Sequence, residues 1–335
     1  MRFSICMVAR NAQKTILYAI NSILNQSFRD FELIIIDDWS EDSTYNIVDN
    51  IIDSRIKLFH SSNSGLLKAR IQAIKKASGE YILTVDSDDA LVDGALSYID
   101  EILKQKRVDI LQYKGIKVLE TGKKIEIPSL FQNMQLLGKK DIKNITESLL
   151  VCDDFSTLWN KAIKRKCIDI RKLETLPNLS IGEDNIILLF TFPNANSYCY
   201  TSKIFYLYSL NGGITKKFRR DSFSNQKERI SCKRCAVEYA GFDIETYDKV
   251  LNIALIEVVS KVCAFFPTIV DSDYRSKEIF YDCMDEIRSD SYFWDIYKKH
   301  KNAVSILYRI PLWLVKKHMY CIVLRIKNMS AKLRK

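Results

Sequence analysis

The sequence predicts an α/β protein built on a doubly wound, mainly parallel sheet with a C-terminal helical appendage. Three observations carry this: apolar runs without polar alternation, helix-spaced segments between them, and helical spacing alone from about residue 225 to 300. Phe3–Val8 opens the chain as a nearly unbroken apolar run, which suits a strand covered on both faces. Ile16, Ile20, Ile23 and Leu24 then recur at the steps of one helix face. Leu33–Ile36 is the second strand, with Ser40 and Ser43 as capping candidates for the helix after it. Ile56–Phe59 is the third strand, and Leu66, Ala69, Ala73 and Ala77 mark one side of the third helix. Tyr81–Val85, a helix near Ala95 to Leu103, and a fifth strand at Val108–Leu111 complete the series. Strand and helix alternating four times imply right-handed crossovers and a Rossmann-like sheet.

Gly115, Gly122, Pro128 and Gly138 punctuate the next stretch, which reads as a hairpin-like excursion. Farther on, Leu251, Ala254, Leu255 and Val258 show helical spacing and no chemistry. The expected division is 1–220 for the α/β domain, 221–300 for the helical appendage and 301–335 for a basic amphipathic tail. No apolar leader precedes the first strand, so a cytoplasmic location is expected. The nine cysteines are scattered, with one C-x-x-C at Cys232 and Cys235, and read as reduced thiols rather than a disulfide or zinc framework.

The formal net charge of +10 is concentrated at one end, because residues 301–335 hold nine Lys or Arg and no Asp or Glu. A nucleic-acid partner would call for basic residues spread along a binding face, so none is expected. In the tail, Leu312, Val315, Met319, Ile322, Ile326, Met329 and Leu333 recur at three- and four-residue steps. Lys316, Lys317, Lys327, Lys332, Arg334 and Lys335 fall mostly opposite, with Trp313 and Tyr320 flanking the stripe. The pattern is too short to span a bilayer, and fits either a helix lying on an anionic membrane surface or one packed on the body.

Two acidic clusters fall where strands end: Asp37 and Asp38 in "LIIIDDWSEDS", and Asp86, Asp88 and Asp89 in "YILTVDSDD". Ligands of such a sheet bind beyond the carboxyl ends of its strands. Glycine-rich phosphate loops are absent, and bare carboxylates repel phosphate. A divalent cation, Mn²⁺ or Mg²⁺, reverses that sign by taking hard oxygen ligands from Asp-x-Asp and from a nucleotide's phosphates. Each Asp taken singly is an ordinary loop or capping residue, and only the pairing of two clusters on neighbouring strands favours a site.

The segments "SICMVARNAQKTILYAINSILNQSFRDFELIIIDDWSEDST" and "SSNSGLLKARIQAIKKASGEYILTVDSDD" strongly resemble glycosyltransferase family 2, and "LWNKAIKR" and "IGEDNIILL" resemble its downstream elements. The resemblance implies a GT-A fold and transfer of a sugar from a nucleotide-sugar, with residues 1–113 as the nucleotide-sugar half and 114–220 as the acceptor half. It places Val8, Ala9, Asn11, Asp37, Asp38, Arg70, Asp86 and Ser87 at the nucleotide-sugar, with Asp38 near the base, and makes Asp88 the metal ligand. Asp184 would be the base, with Glu183 beside it to orient or replace it. Trp159, Asn160 and Lys161 would belong to the acceptor side, although a tryptophan is as often core. Val8, Ala9 and Arg10 stand where the family commonly shows Pro-x-Tyr, Trp39 where it shows Gly, and Ile71 and Ala73 where Asn and Gly often follow Ala-Arg.

The resemblance thus implies an inverting, metal-dependent glycosyltransferase, with a UDP-sugar the expected donor and a glycan or lipid-linked acceptor in cell-surface polysaccharide synthesis. It would work on the inner face of the membrane. Two alternatives are a non-catalytic membrane-surface scaffold and a Mg-dependent phosphotransferase. The second usually has a nucleophilic Asp after the first strand, where this chain reads Val8-Ala9-Arg10-Asn11.

Overall fold

The computed structural model describes residues 1–129, 131–152, 155–209, 220–265 and 274–320. The chain forms two compact units, Met1–Gly213 and Ile214–Lys335. The first begins with β1 (Phe3–Ala9), α1 (Ile16–Leu24), β2 (Phe31–Asp38) and α2 (Thr44–Asp49). It continues through β3 (Ile56–Ser61), α3 (Leu66–Lys76) and β4 (Tyr81–Thr84). Residues Phe3–Met7, Phe31–Asp38 and Tyr81–Thr84 are buried without alternation, as a two-sided sheet requires.

β1 lies between β2 and β4, Phe3 standing opposite Phe31 on one side and Tyr81 on the other; β3 flanks β2, and all four strands are parallel. The order β3-β2-β1-β4 arises because the chain winds outward to β3 and then crosses back past β1. The crevice of an open parallel sheet opens at such a reversal, beyond the carboxyl ends of β1 and β4. α1 covers the sheet with Ile16, Ala19, Ile20 and Ile23, and α3 buries Leu67, Ala69, Arg70 and Ala73. Each fully buried leucine or isoleucine stabilises the fold by about 1.5–3 kcal/mol. The buried Arg70 breaks that apolar face and belongs to the site described below. Ser40 and Ser43 do not cap α2; Asp42 accepts the Thr44 amide instead, at 2.9 Å, and Ser40 Oγ accepts the Asn11 amide at 3.0 Å.

The unit goes on with β5 (Ala90–Leu91), α4 (Ala95–Lys106), β6 (Ile110–Val118), β7 (Lys124–Glu126), β8 (Leu136–Gly138) and α5 (Lys139–Val151). β9 (Lys161–Lys164), α6 (Ile170–Glu174), α7 (Glu183–Leu189) and β10 (Ser197–Ser209) complete it. The excursion after residue 115 is a hairpin, with β6 and β7 antiparallel. The fifth strand departs from expectation: β6 starts at Ile110 and does not neighbour β4. β9 is wedged antiparallel between them, Ile163 standing opposite Ile82 on one side and Ile110 on the other. Four residues carry no periodic signal; β9 is held by the two edges it closes. β10 then runs parallel to β6 with register shifts between Thr201 and Tyr206, which turn its aromatic end toward β5.

The second unit is helical: α8 (Ser222–Tyr239), α9 (Ile244–Phe265), α10 (Tyr274–Ser289), α11 (Ser291–His300) and α12 (Ile306–Lys316). Leu251, Leu255, Ile256 and Val259 of α9 are buried, and α12 packs on α9 and α10. Leu312 and Val315, expected on a membrane-facing stripe, are fully buried. Up to residue 320 that stripe therefore serves the helical unit's own core. The expectations for Ile322, Ile326, Met329, Leu333, Lys327, Lys332, Arg334 and Lys335 lie outside the described residues. Among the described residues no helix is long and apolar enough to cross a membrane, and no disulfide forms.

Candidate active site

The first three strands each lead into a turn with a left-handed residue: Asn11 (φ 51°), Trp39 (φ 61°) and Asn63 (φ 58°). Asparagine tolerates that conformation, whereas tryptophan pays for it, which explains why a glycine suits the position Trp39 occupies. Val8 and Ala9 end β1 beside Ile36 and Asp37. The Asn11 side chain accepts the Glu41 amide at 2.8 Å, tying the first turn to the second. Asp37 is buried, with Oδ2 at 3.1 Å from His60 Nδ1 and 3.2 Å from the Ser40 amide, and Oδ1 without a hydrogen bond.

Asp38, also buried, is committed to the start of α3: Oδ1 accepts from the Ser64 amide at 2.7 Å and Oδ2 from the Gly65 amide at 3.0 Å. The resemblance places Asp38 near the base of the nucleotide; the fold gives it the "NSG" turn as a partner. Gly65 has φ 82° and ψ 162°, a region open essentially to glycine alone, and a Cβ there would lie 2.3 Å from Asn178 Nδ2. Gly65→Ala is therefore expected to destabilise the protein by about 1–3 kcal/mol by displacing the Ser64–Gly65 amides from Asp38. Thermal and urea unfolding measure this, and an alanine variant as stable as wild type would contradict this account of the turn.

Arg70 joins the two acidic motifs. Its Nη2 donates to Asp86 Oδ1 at 2.9 Å, and its Nε donates to Glu183 Oε1 at 3.1 Å while lying 3.4 Å from Asp184 Oδ1. Arg70 thus reaches a carboxylate 113 positions along the chain, through a side chain on a residue that is 7% exposed. Gly182, left-handed at φ 83°, starts α7 and presents Glu183 and Asp184 in its first turn. Burial raises the pKa of both carboxyls, Asp86 adds to the rise, and Arg70 opposes it. The Asp184 Oδ2 accepts the Leu158 amide at 3.1 Å, and its Oδ1 has no hydrogen bond.

The β4 loop divides its three acids by task. Asp89 is buried and accepts from Tyr206 Oη and from the Ser209 amide, each at 2.7 Å. The same Tyr206 Oη accepts the Asp86 amide at 3.1 Å, so β10 fixes the loop. Local pattern gave no sign of Tyr206. Burial, then Asp86, raises the Asp88 pKa; no cation pairs with Asp88 among the described residues, and Ser87 beside it is half-buried. Among those residues no three His, Cys, Asp or Glu side chains group as a metal site. A carboxylate without a cationic partner next to a second one is an oxygen donor of the kind a hard divalent cation takes.

The residues expected at the acceptor are built into the framework. Trp159 is 8% exposed and stacks on Tyr206 with ring centroids 4.6 Å apart, which is the core alternative. Lys161 is 1% exposed and donates to Phe155 O, Thr157 O and Asn160 Oδ1 at 3.1, 2.6 and 2.9 Å. An ammonium has three donors, so none is left for a sugar, and burial pushes the Lys161 pKa down to about 7. Lys161 and Asn160 instead brace the 155–160 loop, whose Leu158 amide holds Asp184. A cavity of about 420 Å³ lies elsewhere, at the amino ends of β1 and β4, lined by Arg2, Glu80 and Lys164 among others.

A family model described as glycosyl transferase family 2 matches residues 4–166. The chain is 26% identical to the cholesterol galactosyltransferase of Borreliella burgdorferi over 348 aligned positions, covering 95% of this chain and 94% of that protein. It is 37% identical over 183 residues to the Escherichia coli UDP-Glc:alpha-D-GlcNAc-diphosphoundecaprenol beta-1,3-glucosyltransferase WfaP, covering 49% of this chain and 72% of that one. The fold is that of the crystal structure of S. aureus TarS 1-349 in complex with UDP-GlcNAc, with a TM-score of 0.64 at 17% identity, covering 100% of this chain and 93% of the other.

Proposed function

The chain belongs to glycosyltransferase family 2, and from that premise we propose that it moves a sugar, with inversion, from a UDP-sugar to a lipid-linked or glycan acceptor at the inner face of the cell membrane. The observation that carries the reading is the convergence of Asp86, Glu183 and Asp184 on Arg70 at the carboxyl edge of the sheet. A strand-end carboxylate that meets the donor and a helix-start carboxylate that meets the acceptor are thereby held in one site. The UDP-GlcNAc complex of the TarS structure and the diphosphoundecaprenol acceptor named for WfaP support the choice of donor and acceptor. The basic C-terminal residues support a peripheral site on anionic lipid.

In this mechanism Asp184 takes the proton of an acceptor hydroxyl as its oxygen bonds to the anomeric carbon and the bond to the diphosphate breaks on the opposite face. Its pKa, raised by burial, brings its basicity toward neutral pH. Arg70 holds Asp184 and Asp86 in register, and Glu183 shares that cation. Asp88 would hold Mn²⁺ or Mg²⁺ together with the donor's diphosphate. When bound, such an ion offsets the charge that develops on the leaving diphosphate, so that no general acid is needed.

A thermal-shift screen of UDP-, GDP-, CMP- and dTDP-sugars with and without Mn²⁺ tests the reading. Stabilisation by UDP-sugars, larger with Mn²⁺, is expected, as is loss of the Mn²⁺-dependent part in Asp88→Ala. A metal increment that survives that substitution would remove Asp88 from the metal site, and the absence of any donor response would favour a scaffold.

A further inference from the structure

α12 is apolar on two faces, and among the described residues only one packs against its neighbours. Leu312, Leu314 and Val315 are buried in the helical unit. On the other side Ile306, Leu307, Ile310 and Trp313 are exposed at 63%, 74%, 46% and 53%. Ile306, Ile310, Trp313 and Lys317 follow one another at i, i+4, i+7 and i+11, a single helix face. A helix this short gains nothing by leaving bulky side chains in water, and soluble surfaces rarely group them. Basic side chains flank the outward face: Lys298 and Lys299 end α11, and Lys301, Lys316 and Lys317 are exposed beside α12, while the nearby acid Asp285 of α10 is engaged by Tyr320 Oη at 2.7 Å and lies 3.9 Å from His318 Nδ1. No Asp or Glu occurs from residue 301 onward, and residues 321–335 add five more Lys or Arg.

We propose that the outward face of α12 is the membrane-docking surface: Ile306, Leu307, Ile310 and Trp313 enter the headgroup region of an anionic bilayer, and the flanking lysines pair with its phosphates. Charge complementarity selects this occupant, since a second copy would bring the same cations against one another. The face differs from the stripe of Leu312 and Val315 that sequence spacing singles out, because tertiary packing consumes that stripe. The proposal deepens the reading of a lipid-linked acceptor and rests on it only for its purpose, because vesicle binding is measured without any transfer.

Co-sedimentation with vesicles of equal phosphatidylglycerol and phosphatidylcholine tests it on the full chain. Wild type is expected to bind these at least tenfold more tightly than pure phosphatidylcholine vesicles. Ile310→Ser combined with Trp313→Ser is expected to lose at least tenfold, with its unfolding temperature and UDP-sugar thermal shift unchanged. As a second measurement, brominated-lipid vesicles should quench tryptophan emission in wild type and quench it less in Trp313→Phe, which still binds. Equal binding by wild type and the double variant would overturn the proposal and assign the contact to residues 321–335. So would failure of wild type to bind, or a dimer in sedimentation velocity that the double substitution dissolves. A missing donor shift alongside intact vesicle binding would instead count against the glycosyltransferase reading alone.

Discussion

Asp184→Asn is expected to slow sugar transfer by about 10²–10⁴-fold, the usual worth of a general base, while donor affinity stays as in wild type. The amide keeps an oxygen for the Leu158 N–H, so the 155–160 loop stays in place. What is lost is a group able to accept the acceptor's proton. The pH dependence gives a second check. Burial holds the Asp184 carboxyl above its ordinary range, with Arg70 opposing and Asp86 adding to the effect. A base works deprotonated, so wild-type kcat falls as pH drops through that raised value, and its acid limb stands above the ordinary aspartate pKa of about 4. Asp184→Asn should lack the limb. Parallel loss of donor binding and transfer would reject the role of base.

Arg70→Met is expected to produce the largest loss of stability of any single substitution at the site, about 3–5 kcal/mol near pH 8, because it strands the buried Glu183 and the partly buried Asp86 and Asp184 without a cation. Arg70 is 7% exposed and serves Asp86, Glu183 and Asp184 at once. Donor binding and transfer should both fail. The sign of the pH effect separates charge from packing. Without the guanidinium the folded-state pKa values of Glu183 and Asp184, already raised by burial, rise further above their unfolded values near ~4. A carboxylate raised in this way stabilises the fold below its unfolded pKa, and that stability is lost as pH rises through its folded pKa. Arg70→Met should thus regain stability on acidification from pH 8 toward 5, measured by urea unfolding at each pH. A deficit constant across that range would mean that packing alone was lost. Arg70→Lys restores the charge without the planar fork and should recover part of the stability but little activity.

The first four parallel strands and their helices were legible because each buries a local, repeating apolar pattern. β9 and β10 were not, since Lys161–Lys164 is too short to show a period and Ser197–Ser209 takes its role from β6. Asp86 and Asp88 stood out as acids at the end of an apolar run, whereas Asp184 was marked only by the resemblance of "IGEDNIILL" to the family. Tyr206 did not, because an aromatic in a strand reads as packing until Asp86 and Asp89 are seen against its hydroxyl. Trp159 and Lys161 share a motif with the site yet are buried, and Asn160 is engaged by Lys161 and Thr157, a distinction that depends on which donors are already spent.

Sequence by itself determined the α/β class, the strand ends that carry carboxylates, and the accumulation of positive charge after residue 300, because these follow from local periodicity and from charge counted along the chain. Tertiary structure alone decided that Arg70 unites residues 86, 183 and 184, that Lys161 braces rather than binds, and which face of α12 stays in water. Each of those outcomes depends on what a polar or apolar group meets across the fold, and burial changes the energy of a charge or a methyl group far more than its neighbours in sequence do.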